Sequence, residues 1–482
     1  MRIALAAACL QLAGCMVGPD YKRPPVVQPD GFKSSLDSAR DDPERAEGSQ
    51  TVSAPAPPIA TDWWRLYADP NLDQLIATAT ASNQSLKLAV ARVDEARALA
   101  RVAASYLAPT ISVNPSFSRA RYSGSRDSAT TGQPVQSGAT VNDWLVPFDL
   151  TYEVDVWGRV RRGLESARAQ AVASADDEAS VRLTVQTDVA QYYYTLRLLD
   201  AEVEMLTQTV AAYQEQVRVL SVQVRTGITG PVALYQAQAQ LEATSAQQRY
   251  MQRARADQEH ALAILCGQPA PSFTVAVNPL REASPPEVPA GLPSALLTRR
   301  PDVASAEQLV VAANAQIGVA TADFFPRLTL TGSAGFESAI VQGLFGWQSR
   351  VASIVAGLAQ PIFTRGRLKA SLAATKAQHR QAVALYVNQV LIAYGDVEDA
   401  LTDLHALTGM VGHLNEAVGA SQNYLRTAQV QYKSGLADYL VVIDAERTLL
   451  ANQLSLAQAE NLQLGASIYL IKALGGGWES NH

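Results

Sequence analysis

Residues 159–226 read RVRRGLESARAQAVASADDEASVRLTVQTDVAQYYYTLRLLDAEVEMLTQTVAAYQEQVRVLSVQVRT. The stretch has no proline and one glycine, Gly163 in its first turn, as an uninterrupted helix requires. From Val185 to Val224 the larger apolar residues recur at alternating spacings of four and three, the heptad pattern of helices that pack lengthwise. At about 1.5 Å per residue, such a helix is on the order of 100 Å long, wider than an ordinary globular core. The stretch therefore predicts a long helix that packs along similar helices.

A second stretch, residues 367–434, repeats the first. Gly158 recurs as Gly366 and Gly227 as Gly435, and both separations (366 − 158 and 435 − 227) are 208 residues. The apolar stripe of the second stretch keeps the register of the first after the same offset. Shared length, glycine markers and register indicate a tandem duplication.

Composition excludes several classes of protein. The 482 residues carry 39 basic and 45 acidic side chains, a net charge of −6, and no basic cluster of the kind that binds nucleic acid. The five histidines lack metal-ligand spacing, and we find no nucleophile elbow or phosphate loop. We therefore expect neither an enzyme nor a metal site. Cys266 is without an intramolecular partner, and we expect a small buried apolar side chain rather than a reactive thiol.

The N-terminus has the pattern of an export signal. An apolar run ends in Leu12-Ala13-Gly14-Cys15, which resembles a bacterial lipobox. This predicts a signal peptide over residues 1–14 and a lipidated Cys15, whose covalent lipid is the only cofactor expected. Met16 after the cysteine favours the outer membrane, by resemblance to sorted lipoproteins. The alternative is an ordinary signal peptide with an incidental cysteine. Residues 15–60 are rich in proline, serine and acidic residues and predict an extended tether.

The rest of the chain divides into two similar repeats, residues 61–266 and 301–474. In the first, a helix over Asn71–Tyr106 precedes a hairpin over 110–157, the long helix 159–226 and a return helix 231–266. We expect the first and last of these helices to stack end to end beside the long one. The second has a helix over Pro301–Phe325, a hairpin over 327–363, the long helix 367–434 and a return helix 438–474. A proline-rich linker, 267–300, joins the repeats, and residues 475–482 form a tail.

The hairpins contain four strands that alternate apolar and polar residues. In the second strand Trp144, Val146, Phe148 and Leu150 alternate with a row that includes Asp149 and Glu153. About ten residues is the length of a tilted membrane strand, apolar outside and polar inside. Soluble hairpins packed on one face are the alternative. Because four strands cannot close a barrel, membrane strands would require two, three or four copies of the chain.

Several motifs resemble those of outer-membrane efflux proteins, in the lipid-anchored branch of the TolC-like family (OprM and NodT relatives). The motifs are Phe148-Asp149-Leu150-Thr151-Tyr152-Glu153-Val154-Asp155-Val156-Trp157-Gly158-Arg159, Arg299-Arg300-Pro301-Asp302-Val303, Ala322-Asp323-Phe324-Phe325-Pro326, Pro361-Ile362-Phe363, Lys472-Ala473-Leu474-Gly475-Gly476-Gly477-Trp478 and Cys15-Met16-Val17-Gly18-Pro19-Asp20-Tyr21. The resemblance implies a mainly α-helical chain with a small membrane β part. It also implies a homotrimer with a twelve-stranded outer-membrane β-barrel that continues into a periplasmic barrel of helices. The implied partners are a periplasmic adaptor, an inner-membrane RND-type transporter and outer-membrane lipid.

The same resemblance assigns the site residues. The sharp turns after the long helices would form the periplasmic tip and dock the adaptor. The residues concerned are Arg225, Thr226, Gly227, Ile228, Lys433, Ser434, Gly435 and Leu436. A simpler role for the two glycines is to end a helix in the left-handed conformation. The turns that begin the long helices contain Gly158, Arg159, Gly366 and Arg367.

Two residues are candidates for a periplasmic gate. Asp444 resembles the family aspartate that lines the closed channel mouth, and three copies would form an acidic ring that attracts cations. A solvated surface carboxylate is the alternative. Tyr432 lies on the apolar stripe, which favours core packing, although the family uses a tyrosine here in a closed-state latch. The usual partner acid of that latch aligns with Ala233. Asp438 is expected to cap a helix.

The implied function is a passive outer-membrane exit duct for small toxic compounds, opened at its tip by the adaptor and the transporter. A protein or metal-ion export duct of the same fold is an alternative. So is a non-conducting periplasmic coiled-coil lipoprotein with a structural or adhesive role. The residues do not identify the exported compound.

Overall fold

Two pairs of helices of matching length form most of the helical part of the chain. The computed structural model describes residues 16–26, 29, 32, 60–121, 140–281, 285–286, 288 and 299–478. Within them the helices are α1 Pro70–Ser82, α2 Gln84–Ser105, α3 Arg159–Arg225, α4 Pro231–Leu265, α5 Pro301–Ala322, α6 Arg367–Lys433 and α7 Tyr439–Ala473. The long helices α3 and α6 both have 67 residues and the return helices α4 and α7 both have 35, each pair offset by 208. These bounds agree with the predicted ones to within one residue.

Over the described ranges, none of the helices combines the length and apolar character needed to cross a membrane. The chain divides into two compact units, and each contains parts of both repeats. One unit comprises Met1–Pro24, Val93–Ala173 and Ala306–Tyr386, and the other comprises Pro25–Arg92, Ser174–Ser305 and Val387–His482. The predicted signal peptide and Cys15 lie outside the described residues, as does most of the predicted tether.

The prediction of one continuous helix over Asn71–Tyr106 is wrong, because Asn83 interrupts it. The backbone of Asn83 is extended (ψ 129°), and its side-chain oxygen accepts a hydrogen bond from the backbone N–H of Leu86. Its side-chain amide donates to the carbonyl of Leu265 at 2.8 Å. Asn83 therefore caps the start of α2 and satisfies the last turn of α4. This contact confirms that the two helices meet end to end.

The second repeat has the equivalent junction. The Arg300 guanidinium donates to the carbonyl of Ala473, the residue 208 positions after Leu265, at 3.2 Å. It also forms a bidentate pair with Asp302 and contacts Asp396 at 2.9 Å. The predicted motif Arg299-Arg300-Pro301-Asp302-Val303 thus binds the start of α5 to the end of α7. Helix α5 ends at Ala322, three residues before its predicted end, because Pro326 disfavours helical backbone in the residue before it.

The strands form one antiparallel sheet. The strands are β1 Thr110–Val113, β2 Ser116–Arg121, β3 Thr140–Val154, β4 Arg327–Ser338 and β5 Arg350–Ala359, in the order β1–β3–β4–β5, with β2 also paired to β3. The prediction of a single first strand is therefore wrong. Pro115, which has no N–H to donate, divides that strand, yet β1 and β2 keep one register along β3. The chain still occupies four strand positions across the sheet.

The strand register carries the same duplication as the helices. Thr110 pairs with Thr151 in the first hairpin, and Arg327 pairs with Ala359 in the second. The first members of these pairs are 217 residues apart and the second members 208. Val113–Phe148 and Leu330–Ala356 obey the same two offsets. Each hairpin is therefore a copy of the other, residue for residue.

Buried charges correct a second expectation. The sequence placed the carboxylates of the helices on solvated faces, but Asp200 and Glu202 on α3 are only 2% exposed. Asp200 accepts hydrogen bonds from Arg255 at 2.6 Å and from the backbone N–H of Asn278 at 2.9 Å. Glu202 accepts from Gln458 at 2.8 Å. These carboxylates are tolerated inside because each has a donor.

The start of the predicted tether is ordered against the helices. The backbone N–H of Val17 donates to the carbonyl of Trp157 at 3.1 Å, and Asp20 pairs with the buried Arg162 at 2.7 Å. Asn314 donates to the carbonyl of Pro19 at 2.9 Å. Tyr21 donates to Glu307 at 2.9 Å. Residues 16–23 are therefore a strap on the first unit and not a free linker.

Cys266 is buried, as predicted. Its Sγ lies 3.9 Å from the carbonyl oxygen of Leu75, and it belongs to an apolar cluster that includes Trp63, Tyr193 and Leu262. Burial raises the pKa of the thiol to about 11. Because the thiolate is the reactive form, this environment keeps Cys266 unreactive at neutral pH.

Gly475→Ala should destabilise the protein far more than Gly435→Ala. Both glycines have left-handed backbones, with φ of 93° and 73°, so both substitutions cost about 1 kcal/mol of backbone strain. A Cβ at Gly475 would lie 1.9 Å from the carbonyl oxygen of Arg299, whereas a Cβ at Gly435 would meet nothing within 4 Å. Thermal unfolding of the two purified variants should separate them by several degrees. Equal melting temperatures would refute the backbone contact at Gly475.

Candidate docking and gating site

The turns that follow the two long helices have the same geometry. The N–H groups of Gly227 and Ile228 donate to the carbonyls of Val224 and Gln223, at 3.1 and 2.9 Å. In the second repeat, Gly435 and Leu436 make the equivalent bonds at 3.0 and 2.8 Å. This is the Schellman motif, and it requires left-handed backbone at the glycine. The geometry confirms the helix-ending role of both glycines.

Both turns expose an apolar residue immediately after the glycine. Ile228 is 75% exposed and Leu436 is 80% exposed. In a Schellman motif this residue frequently packs on the preceding helix, and here it does not. Arg225 and Lys433 end the two helices, and Thr226 and Ser434 bond back to the carbonyls of Val222 and Val430. Each turn therefore presents one apolar side chain beside one cation.

Asp444 is exposed on α7 and has a single side-chain partner among the described residues. The hydroxyl of Tyr424, on α6, donates to its carboxylate at 3.2 Å. Asp438 stands at the N-cap position of α7, but its side chain makes no capping bond. The prediction that its carboxylate caps the helix is therefore wrong. Both carboxylates are available to solvent.

Tyr432 packs within its own helical pair. Its ring meets that of Tyr439 edge to face, with centroids 5.2 Å apart, beside a cluster formed by Ala428, Val442 and Ala445. This agrees with the core role that its place on the apolar stripe predicts.

A buried carboxylate next to this cluster was missed by the sequence analysis. Glu446 accepts a hydrogen bond from Gln216 at 2.6 Å, while its second oxygen is buried without a partner in the described structure. Burial raises the pKa of Glu446 above its ordinary value, and Gln216 partly opposes this. Tyr439 lies seven residues earlier, on the same helical face. That spacing was the available signal, since it places Glu446 on a face that is otherwise buried.

The turns that begin the long helices differ between the repeats. Gly158 and Gly366 both have left-handed backbones, with φ of 81° and 85°. In the first repeat Arg159 forms a bidentate pair with Glu153, at 2.8 and 2.6 Å. Asp155 accepts from the N–H groups that follow Arg159, at 3.1 and 2.9 Å, and so caps α3. At the position 208 residues later stands Phe363, which cannot cap α6, and Arg367 begins that helix with a backbone bond to Thr364.

The comparisons with known proteins show the family. The chain belongs to the family described as "Outer membrane efflux protein", which matches residues 75–268 and 292–476. The solvent efflux pump outer membrane protein SrpC of Pseudomonas putida is 32% identical over 471 residues, covering 98% of this chain and 97% of SrpC. The cation efflux system protein CusC of Escherichia coli O6:H1 is 29% identical over 476 residues, covering 98% and 97%.

Solved structures agree with the family. The outer-membrane channel OprN superimposes with a TM-score of 0.85 at 28% identity, covering 96% of this chain and 100% of that one. The open state of the Neisseria gonorrhoeae MtrE outer membrane channel has a TM-score of 0.82 at 28% identity, covering 96% and 98%. The predicted family and the predicted mainly α-helical fold with a small β part are therefore confirmed.

Glu446→Gln should stabilise the protein increasingly as the pH rises. Because the folded-state pKa of Glu446 is raised, its contribution to stability is fully present below its unfolded pKa. That contribution is lost as the pH rises through the folded-state value. Glutamine keeps the acceptor for Gln216 and cannot ionise. The difference in unfolding free energy between variant and wild type, measured at pH 5 and pH 8, should be larger at pH 8. A pH-independent difference would contradict the assignment.

Proposed function

We propose that this chain is the outer-membrane exit duct of a tripartite efflux system, a passive channel for small toxic compounds. The observation that carries the proposal is a sheet with one apolar and one polar face, attached to duplicated long helices in a chain matched along its whole length by efflux channels. Relatives named for solvent, toluene and antibiotic efflux support this class of substrate. No residue of this chain has to perform chemistry in that role.

The sheet supports a trimer. Its two outer edges, β1–β2 and β5, have no partner strand among the described residues. Unpaired backbone groups are costly in lipid, so these edges must pair with further copies of the chain. Three copies of four strand positions give the twelve-stranded barrel expected of the family. The apolar sheet face, which includes Ile111, Phe148 and Ile354, would face lipid.

The two turns with Ile228 and Leu436 support adaptor docking at a periplasmic tip. An exposed apolar side chain beside a cation fits a partner that offers an apolar contact and an acceptor. Opening would follow from the higher affinity of the adaptor and the transporter for the open state. Asp444 would line the channel mouth, where three copies attract cations. Tyr432 would stabilise the helical pair by packing.

Metal-ion export is the second candidate, and the similarity to the cation efflux protein CusC favours it. Within the described residues there is no group of three or more histidine, cysteine or acidic side chains that would hold a metal ion. A cation would therefore pass as cargo through the same duct. Export assays with silver or copper salts against toluene distinguish the two substrates.

Channel activity is tested in planar bilayers. The purified protein should give stepwise conductance, and Asp444→Asn should lower the cation-to-anion permeability ratio measured from the reversal potential in a salt gradient. Asp438→Asn is the matched control, because it removes an exposed carboxylate six residues away. Absence of any conductance would support the non-conducting lipoprotein. An unchanged ratio in Asp444→Asn would remove Asp444 from the mouth.

Docking is tested at the tip. Ile228→Ser combined with Leu436→Ser should reduce export of a fluorescent dye from cells and co-purification of the adaptor, since two exposed apolar contacts are lost. The conservative pair Ile228→Val and Leu436→Met should retain both. Outer-membrane levels of the protein serve as the assembly control. Full export by the serine variant would place docking elsewhere.

Lipidation of Cys15 follows from the lipobox pattern of the sequence. Cells labelled with radioactive palmitate should incorporate label into the wild type and into Cys266→Ser, which lacks the other cysteine of the mature chain. Cys15→Ser should incorporate none. Label in Cys15→Ser would refute the anchor.

A further inference from the structure

The duplicated register specifies how two copies would pair. Within one chain, the last strand of the first hairpin pairs with the first strand of the second: Val154 lies opposite Leu328, and Trp144 opposite Ser338. Adding 208 to the β3 member and subtracting 217 from the β4 member gives the equivalent pair between copies. Ile362 of one copy then lies opposite Ile111 of the next, and Ala352 opposite Arg121. The junction of β5 with β1–β2 of the next copy is called the seam.

Exposure of the predicted seam residues agrees with this register. Ile362 is 95% exposed and Ile111 is 66% exposed in the single chain. In the predicted pairing these side chains fall on the same face, because both follow the alternation of the apolar face. The seam would therefore cover two of the most exposed apolar side chains at the helix end of the sheet.

Charge is segregated between the two faces of the described strands. By alternation, all four carboxylates, Asp143, Asp149, Glu153 and Glu337, lie on the polar face. Arg119, Arg121 and Arg350 lie on the apolar face, which carries no carboxylate in the described strands. An arginine on a lipid-facing surface is costly at mid-membrane and tolerated only near the boundary. All three are near the strand ends that the hairpin loops connect, opposite the helices.

The seam brings these arginines together. Arg121 lies opposite Ala352 and therefore diagonal to Arg350 of the neighbouring copy, at about 7–8 Å between backbones. Arg119 lies opposite Ile354, further along the same face. Arg350 already stacks on Trp347, 3.6 Å from the ring centroid, and Trp347 is 76% exposed. Exposed aromatic residues of this kind mark the membrane–water boundary. Three cations at this boundary, without a carboxylate on their face, require an anion.

We propose, on the basis of the trimeric channel argued above, that each seam holds a binding site for the phosphorylated headgroup of an outer-leaflet lipid. Arg119 and Arg121 of one copy and Arg350 of the next form the site. Guanidinium groups bind phosphate oxygens in bidentate geometry, and two arginines at this separation reach one phosphate. Trp347 orients Arg350 and contacts the sugar or acyl part of the lipid. A trimer has three such sites, and a single copy has none complete.

The register is tested by disulfide cross-linking of the full-length trimer. It predicts that Ser118 lies opposite Val355 of the next copy, and Phe117 opposite Ala356. These two pairs alternate between the two spacings of an antiparallel ladder, so at least one suits a disulfide. Within one chain, β2 and β5 are separated by β3 and β4, about 14 Å, too far for a bond. Each double cysteine variant should run as a covalent trimer on a denaturing gel.

Ser118→Cys with Val351→Cys is the matched control, four residues out of register, and should not cross-link. A cross-link in this control but in neither predicted pair would overturn the register and with it the site.

Lipid binding is tested by native mass spectrometry of the detergent-solubilised trimer. Bis-phosphorylated lipid A should bind at up to three copies per trimer, and Arg121→Gln with Arg350→Gln should weaken that binding by at least about tenfold. The matched control is Arg327→Gln with Arg365→Gln, at the helix end of the sheet, which should bind as wild type does. Dephosphorylated lipid A should bind the wild type no better than it binds the double variant.

Equal binding of bis-phosphorylated lipid A by wild type and the Arg121→Gln, Arg350→Gln variant would refute the site. Binding of inorganic phosphate alone, with no preference for the lipid, would also refute it. A trimer that conducts normally while failing these tests overturns the lipid site and leaves the exit duct intact. A protein that does not conduct overturns the exit duct itself.

Discussion

A strand edge in a membrane must find partners for its backbone N–H and carbonyl groups, and in one copy of this chain two edges have none among the described residues. The sheet has four strand positions and a twist that continues from β1 to β5, so pairing with further copies is the way to complete it. Everything else in the β region is consistent with that constraint. The apolar face is continuous, the carboxylates are on the other face, and the apolar side chains of the outer edges are exposed.

The helical region follows a different constraint, which is the satisfaction of helix ends. All four C-termini of the long and return helices end in the same left-handed turn, at Gly227, Gly267, Gly435 and Gly475. Two of these turns, at Gly267 and Gly475, are filled by neighbouring backbone, whereas the other two are open. The closed pair joins helices end to end through Asn83 and Arg300. The open pair is free to bind a partner, so one motif has a structural use and a functional use in the same chain.

Sequence patterns predicted the regular parts of the fold well because they depend on local physics. Heptad spacing, proline and glycine positions gave the long and return helices to within one residue. The failures have tertiary causes. Asn83 breaks a helix because its amide has a partner 182 residues away, at Leu265. Asp200 and Glu202 are buried because distant donors face them. A residue such as Glu446 was overlooked because its burial depends on helices far apart in the chain.

By itself the sequence determined the duplication, the family, the four strand positions and the location of the turns, because each is written in spacings along one chain. Only the tertiary structure decided which charges are buried, that residues 16–23 pack on the helices, and which strand faces carry the arginines. It also gave the strand register, from which the two offsets of 208 and 217 follow. The physical reason is that burial, pairing and facing are relations between distant residues, and no local pattern contains them.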